Sequence, residues 1–80
     1  MKALIHVTLK SDVLDPQGKA IQNASAALGY DAVKSVRQGK LFEVELDAAD
    51  EASAQKLLAE LSSKLLSNPV IEDYEIVSVG

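Results

Sequence analysis

The chain has no cysteine and no tryptophan, and only one histidine, one phenylalanine, two tyrosines and two prolines among its 80 residues. Without cysteine there is no disulfide, no thiolate metal site and no cysteine nucleophile. The lone His6 has no second imidazole and no fixed companion to serve as metal ligand or base, so a surface or interface role is expected of it. Basic residues are scarce as well, 8 Lys and Arg against 12 Asp and Glu for a net charge of −4. That balance argues against a nucleic-acid surface, which needs clustered cations to neutralise phosphates. No apolar run approaches membrane-spanning length. The start, "MKALIHVTLK", alternates where a signal peptide would carry a continuous apolar stretch, so a cytoplasmic location is expected.

What is present is apolar residue in quantity, 48% of the chain, too much for a disordered segment. Eighty residues make one domain, residues 1–80, and a domain of this size buries only about 60% of the surface its unfolded chain exposes. Such a core supplies roughly 3–5 kcal/mol by itself, which makes a partner subunit an early expectation.

"ALIHVTLK" sets Ala3, Ile5, Val7 and Leu9 on one side and Leu4, His6, Thr8 and Lys10 on the other, the period of a half-buried strand. In "VLDPQGKA", Asp15 is an N-cap acceptor and Pro16 suits the first helical position, so a helix starts there. Ala20, Ile21, Ala24, Ala27 and Leu28 recur at helical spacing, and Gly29 stands where a left-handed C-terminal cap is wanted. "DAVKSVRQGKLFEVELD" reads as a hairpin turning at Gln38 and Gly39. Its first strand is irregular because Val33 and Val36 differ in parity, which predicts a bulge or exposed edge. A second helix presents Ala54, Leu57, Leu58, Leu61 and Leu65 on one face, capped by Asp47 or Asp50 and stopped by Asn68-Pro69. The last strand, "VIEDYEIVSV", carries apolar residues of both parities, so both its faces need cover. The order βαββαβ predicts an α+β domain, a mainly antiparallel ferredoxin-like sheet with two helices on one face.

No active site emerges. "RQGKLFEV" superficially matches the basic-glycine-aromatic strand of RNA-recognition domains, yet Phe42 lies on the apolar side and its exposed neighbours are Glu43 and Glu45. Gly18-Lys19 and Gly39-Lys40 complete no phosphate loop. Glu72, Asp73 and Glu75 are split by strand alternation, which favours ion-pair acceptors over a cation site. The serines lack a nucleophile-elbow setting.

Several segments, "VLDPQGKA", "ALGYDAVKSVRQGK", "LFEVEL" and "LLSNPVIEDYEI", together resemble the PurS subunit family of phosphoribosylformylglycinamidine synthase. The resemblance covers nearly the whole chain and implies a small non-catalytic subunit of an ATP-dependent carbon–nitrogen ligase of purine synthesis. In that enzyme a glutaminase subunit, PurQ, releases ammonia from glutamine. A synthetase subunit, PurL, which holds ATP and magnesium, transfers it to formylglycinamide ribonucleotide. The products are formylglycinamidine ribonucleotide, ADP, phosphate and glutamate. The resemblance further implies a homo-oligomer, dimer or tetramer, that bridges PurQ and PurL and assists ammonia transfer, with no catalytic, cofactor or metal residue of its own. By the same resemblance Arg37, Gly39, Lys40, Asn68, Pro69, Glu72, Asp73 and Tyr74 are expected at subunit interfaces. Arginine and tyrosine suit interface anchors because they combine contact area with directed hydrogen bonds. Local alternatives stand beside these roles: Gly39 serves a turn, Pro69 stops a helix and Tyr74 fills a core. The competing reading of the whole chain is an amino-acid-binding regulatory module of the same topology.

Overall fold

A computed structural model describes residues 1–80. Strand β1 (Lys2–Leu9) leads to helix α1 (Pro16–Ala27), strand β2 (Gly39–Glu45), helix α2 (Glu51–Leu61) with a π-helical turn at Ser62–Leu66, and strand β3 (Glu72–Val79). The sheet is antiparallel in the order β2-β1-β3, so the first strand lies in the centre. Its alternation is as expected: Ala3, Ile5 and Val7 are buried while Lys2 and His6 are exposed. Leu58 of α2 joins those three residues in the core, with Phe42, Val44, Leu46, Leu66, Ile76 and Val79 partly buried around them. The α+β class and the antiparallel sheet are therefore those the sequence predicts.

The helix starts follow their caps. The Asp15 carboxylate accepts the Gly18 N–H with Pro16 following, and Asp50, of the two candidates, accepts the Ser53 N–H at 2.7 Å. Helix α1 ends at Gly29, the one residue with positive φ, at 90°. Tyr30 N–H reaches Ser25 O and Gly29 N–H reaches Ala26 O, the paired bonds of a Schellman cap.

Four details differ from expectation, each for a physical reason. The hairpin has no first strand: residues 33–38 pair with nothing, and the chain instead returns alongside α1 before entering β2. Gly39 is consequently no turn residue. It opposes Thr8 in the ladder, and an added Cβ would lie 2.9 Å from Thr8 Cγ2 and from Val7 O, so space and not φ requires glycine. In α2 the π turn inserts an extra residue into the helical repeat and brings Leu66, not Leu65, to the core; Leu65 is 77% exposed. In β3 the register shifts between Leu4 and Ile5 of its neighbour, so Ile5 opposes Ile76 while Ala3 opposes Val79. This bulge reverses parity at Val77 and turns both Ile76 and Val79 inward, while Val77 itself stays 51% exposed.

Only α2 packs on the sheet. Helix α1 has no substantial contact with any strand or with α2, and Ile21 and Leu28 on its apolar stripe are 48% and 74% exposed. The expected pair of helices on one face is thus represented by α2 alone within one chain. Helix α1 and its return segment project as an arm, and the molecule measures 51 × 25 × 14 Å.

Candidate subunit interface

The arm is rooted by a buried carboxylate. Asp15 Oδ1 accepts Gly18 N–H at 3.0 Å and Oδ2 accepts Gln38 N–H at 2.6 Å, so one side chain ties the start of α1 to the end of the return segment. Arg37 closes the same root: its guanidinium donates to Lys10 O at 3.0 Å and Val13 O at 3.1 Å. The sequence pointed to Arg37 as an interface residue, but its charged end here clamps the chain's own loop. The bond from Gln38 first, then that from Gly18, hold the Asp15 carboxyl below its ordinary value of 3.8, with Arg37 adding to both and partial burial opposing them.

A depressed folded value means that Asp15 stabilises the fold above its ordinary value and loses that contribution as pH falls through the folded one. Asp15→Asn keeps one acceptor oxygen but sets an amide against the second N–H. At pH 7 it should lower the melting temperature by about 4–8 °C, the scale expected for a weakened cap in a domain this small. The gap between wild type and variant should narrow as the pH falls below the ordinary carboxyl value of 3.8 and close below the lower folded one; a gap that does not vary with pH would remove the ionised carboxylate from this role.

Beside the root lies an open cleft of about 450 Å³, whose lining includes Asp15, Gly39, Lys40, Asn68, Ile71 and Glu72. Four of the eight interface residues drawn from the sequence meet here. Glu72 organises them: Oε1 accepts Asn68 N–H at 2.7 Å, and Oε2 lies 3.8 Å from Lys40 Nζ. Asn68 and Pro69 begin the turn into β3, in which Asn68 O accepts the N–H groups of Ile71 and Glu72 and Asn68 Oδ1 accepts that of Val70. Asp73 faces away and pairs with Lys10 at 2.7 Å. Tyr74 lies opposite Val7 at the sheet edge and is 38% exposed. His6 is exposed between Leu41 and Glu75.

The cleft presents Lys40, the carboxylates of Asp15 and Glu72, the amides of Gln17, Gln38 and Asn68 and half-exposed Ile71, with Tyr74 nearby in β3, a mixture of polar and apolar groups suited to a protein surface. No three His, Asp or Glu residues are grouped to hold a metal ion, and no helix is long and apolar enough to cross a membrane. In the sequence Gly18 stood out only as part of a Gly-Lys pair that completes no phosphate loop. Its importance comes from Val36 O, which passes where a Cβ would stand.

Residues 2–80 match the family model described as PurS, phosphoribosylformylglycinamidine (FGAM) synthase. The chain is 50% identical over 70 residues, 88% of its length and 70% of the relative's, to the phosphoribosylformylglycinamidine synthase subunit PurS of Synechocystis. Among solved structures it resembles PurS of Methanocaldococcus jannaschii, one of the subunits of formylglycinamide ribonucleotide amidotransferase, with a TM-score of 0.85 and 40% identity over 94% of this chain and 90% of that one. It also resembles a chain in the structure of PurLQS from Thermotoga maritima, with a TM-score of 0.85 and 28% identity over 99% of both chains.

Proposed function

The chain belongs to the PurS family of phosphoribosylformylglycinamidine synthase subunits of purine biosynthesis, and from that premise we propose that it joins the glutaminase and synthetase subunits of that enzyme without taking part in bond making. The observation that carries this reading is the family match over residues 2–80, together with the likeness to a chain of an assembly named PurLQS. The family match sets aside the regulatory-module alternative. ATP and magnesium are held by the synthetase, and this chain supplies geometry.

Chemistry explains why geometry matters. Ammonia freed from glutamine is a nucleophile only while unprotonated, and bulk water at neutral pH converts most of it to ammonium. A joint that excludes water between the two active sites preserves the reactive form. The cleft around Lys40, Asn68 and Glu72, with half-exposed Tyr74 and Ile71 nearby, is the surface offered to a partner subunit, because its polar groups already hold one another in place and need little ordering on binding.

In a mixture of glutaminase, synthetase, formylglycinamide ribonucleotide, ATP and glutamine, amidation should require this chain, falling at least tenfold when it is left out. Undiminished amidation in its absence would refute the joining role.

A further inference from the structure

We propose that the π-helical turn at Ser62–Leu66 is a register device: the end of α2 exchanges between the π turn and a regular α-helix, swapping Leu66 for Leu65 in the core and remaking the Asn68–Glu72 corner of the cleft. Occupation of the cleft by a partner subunit and the register of α2 are thereby coupled. This coupling rests on the joining role proposed above and adds to it a means of regulation.

Three observations lead here. First, the turn is held by opposing effects. Ser62 O accepts both the Ser67 N–H at 2.9 Å and the Ser67 hydroxyl at 2.7 Å, a pair of bonds that fixes the wide turn. Against them, Ser62 Oγ is fully buried and has no hydrogen-bond partner, which weakens the state that confines it. Second, the alternative state has a ready occupant. Leu65 and Leu66 are identical side chains in adjacent positions; Leu66 packs against the core while Leu65 is 77% exposed. In a regular helix the Leu66 N–H takes Ser62 O from Ser67, and neighbouring residues stand about 100° apart, so Leu65 enters the place that Leu66 leaves. A leucine fills the core in both states, and the exchange gives up little apolar burial. Third, the surplus residue has one place to go. Strand β3 is pinned at its start, where Glu72 opposes Leu9 and Lys10 N–H donates to Ile71 O at 2.8 Å. The slip is therefore taken up between Ser67 and Val70, in the turn that leads past the cleft.

The cleft feels this slip directly. Asn68 N–H donates to Glu72 Oε1 at 2.7 Å, Asn68 O accepts the N–H groups of Ile71 and Glu72, and Asn68 Oδ1 accepts that of Val70. All four bonds depend on where Asn68 stands, and moving it on by one residue position breaks them together. Glu72 stays where β3 holds it, with Lys40 Nζ 3.8 Å from its Oε2. One wall of the cleft thus moves while the facing ion pair remains. A partner seated against both Asn68 and Glu72 holds the corner and so selects the π turn, whereas an empty cleft leaves the end of α2 free to exchange. The strength of the coupling is the partner's difference in affinity for the two states.

The exchange is read on the full-length chain by NMR relaxation dispersion of the backbone amides, which detects interconversion on the μs–ms timescale. Residues 63–68 and 70–72 should report one shared process with a minor state of about 1–10%, while β1 stays quiet. Leu65→Asn puts a polar group where the α state would bury it and leaves the π state untouched. Its melting temperature should stay within about 4 °C of wild type, and the dispersion should vanish. Glu72→Ala removes the corner bond and should raise the minor population at least threefold. No dispersion in the wild type, or dispersion undiminished in Leu65→Asn, overturns the register device, and the wild type decides should that variant fail to fold. A minor population unchanged in Glu72→Ala overturns the link to the cleft. With glutaminase and synthetase bound, amide hydrogen exchange over residues 61–72 should slow at least threefold. Unchanged exchange beside amidation that requires this chain would refute the coupling alone. Amidation indifferent to this chain would refute the joining role alone, for the dispersion of the lone chain still decides the device.

Discussion

Gly18→Ala should unfold the root of the arm and lower the melting temperature by more than 10 °C at fixed protein concentration. In an ordinary helix the change would stabilise, because alanine is favoured over glycine by about 1 kcal/mol. Here the new Cβ would meet the Asp15 carboxylate and stand 2.5 Å from Val36 O. Neither neighbour yields cheaply. Asp15 is held by the Gly18 and Gln38 N–H groups, and Val36 O belongs to the backbone of the return segment. Overpacking of this kind costs about 1–3 kcal/mol and occasionally more, and here the loss of both Asp15 bonds adds to it. At roughly 4–8 °C per kcal/mol for a domain this small, the clash outweighs the gain in propensity. A variant that melts at or above the wild-type temperature would show that the return segment does not press against α1.

Leu58→Ala should be more damaging still. Leu58 is fully buried and is the one large side chain that α2 places wholly in the core, since Ala54 is small and Leu57 is 48% exposed. Truncating a buried leucine costs about 2–5 kcal/mol through lost transfer energy and the cavity left behind. A chain of this length has a total stability of roughly 4–12 kcal/mol, so the expected product is a largely unfolded chain at 37 °C. Leu57→Ala, on the same helix and half in solvent, should cost less than about 1 kcal/mol. Equal effects for the two substitutions in denaturant titrations would mean that the face of α2 is wrongly assigned.

What the sequence disclosed was what local chemistry decides. The alternation of Ala3, Ile5 and Val7, the Asp15-Pro16 helix start and the left-handed Gly29 each follow from the backbone preferences of the residue concerned, and each is found. What it concealed depends on contacts between distant segments. Gly39 is required by Thr8 and Val7 across the sheet, and Gly18 by Val36 of the return segment. Arg37, still exposed, bends back onto its own chain because the carbonyls of Lys10 and Val13, 27 and 24 residues away, lie within its reach. Insertions into a regular repeat were equally hidden, since the π turn after Leu61 and the bulge at Val77 each shift the periodicity by one residue. Mixed apolar parity in the last strand suggested a second face in need of cover; the bulge turns Ile76 and Val79 inward, Val70 and Val77 stay 78% and 51% exposed, and α1 adds further uncovered apolar surface at Ile21 and Leu28. Of the candidate interface, Gly39, Lys40, Asn68 and Glu72 came from family resemblance, and the fold gathers them around one cleft although they lie some 30 residues apart in sequence.

On the joining role proposed above, this chain matters only when ammonia must travel between subunits. The measurement that addresses this most directly is the ratio of glutamine-driven to ammonia-driven amidation by the mixed glutaminase and synthetase, with and without this chain. The expected result is a glutamine-driven rate that collapses when the chain is withheld while the rate with added ammonium salt is retained. Equal loss of both rates would contradict it, for it would place this chain in the bond-making step itself.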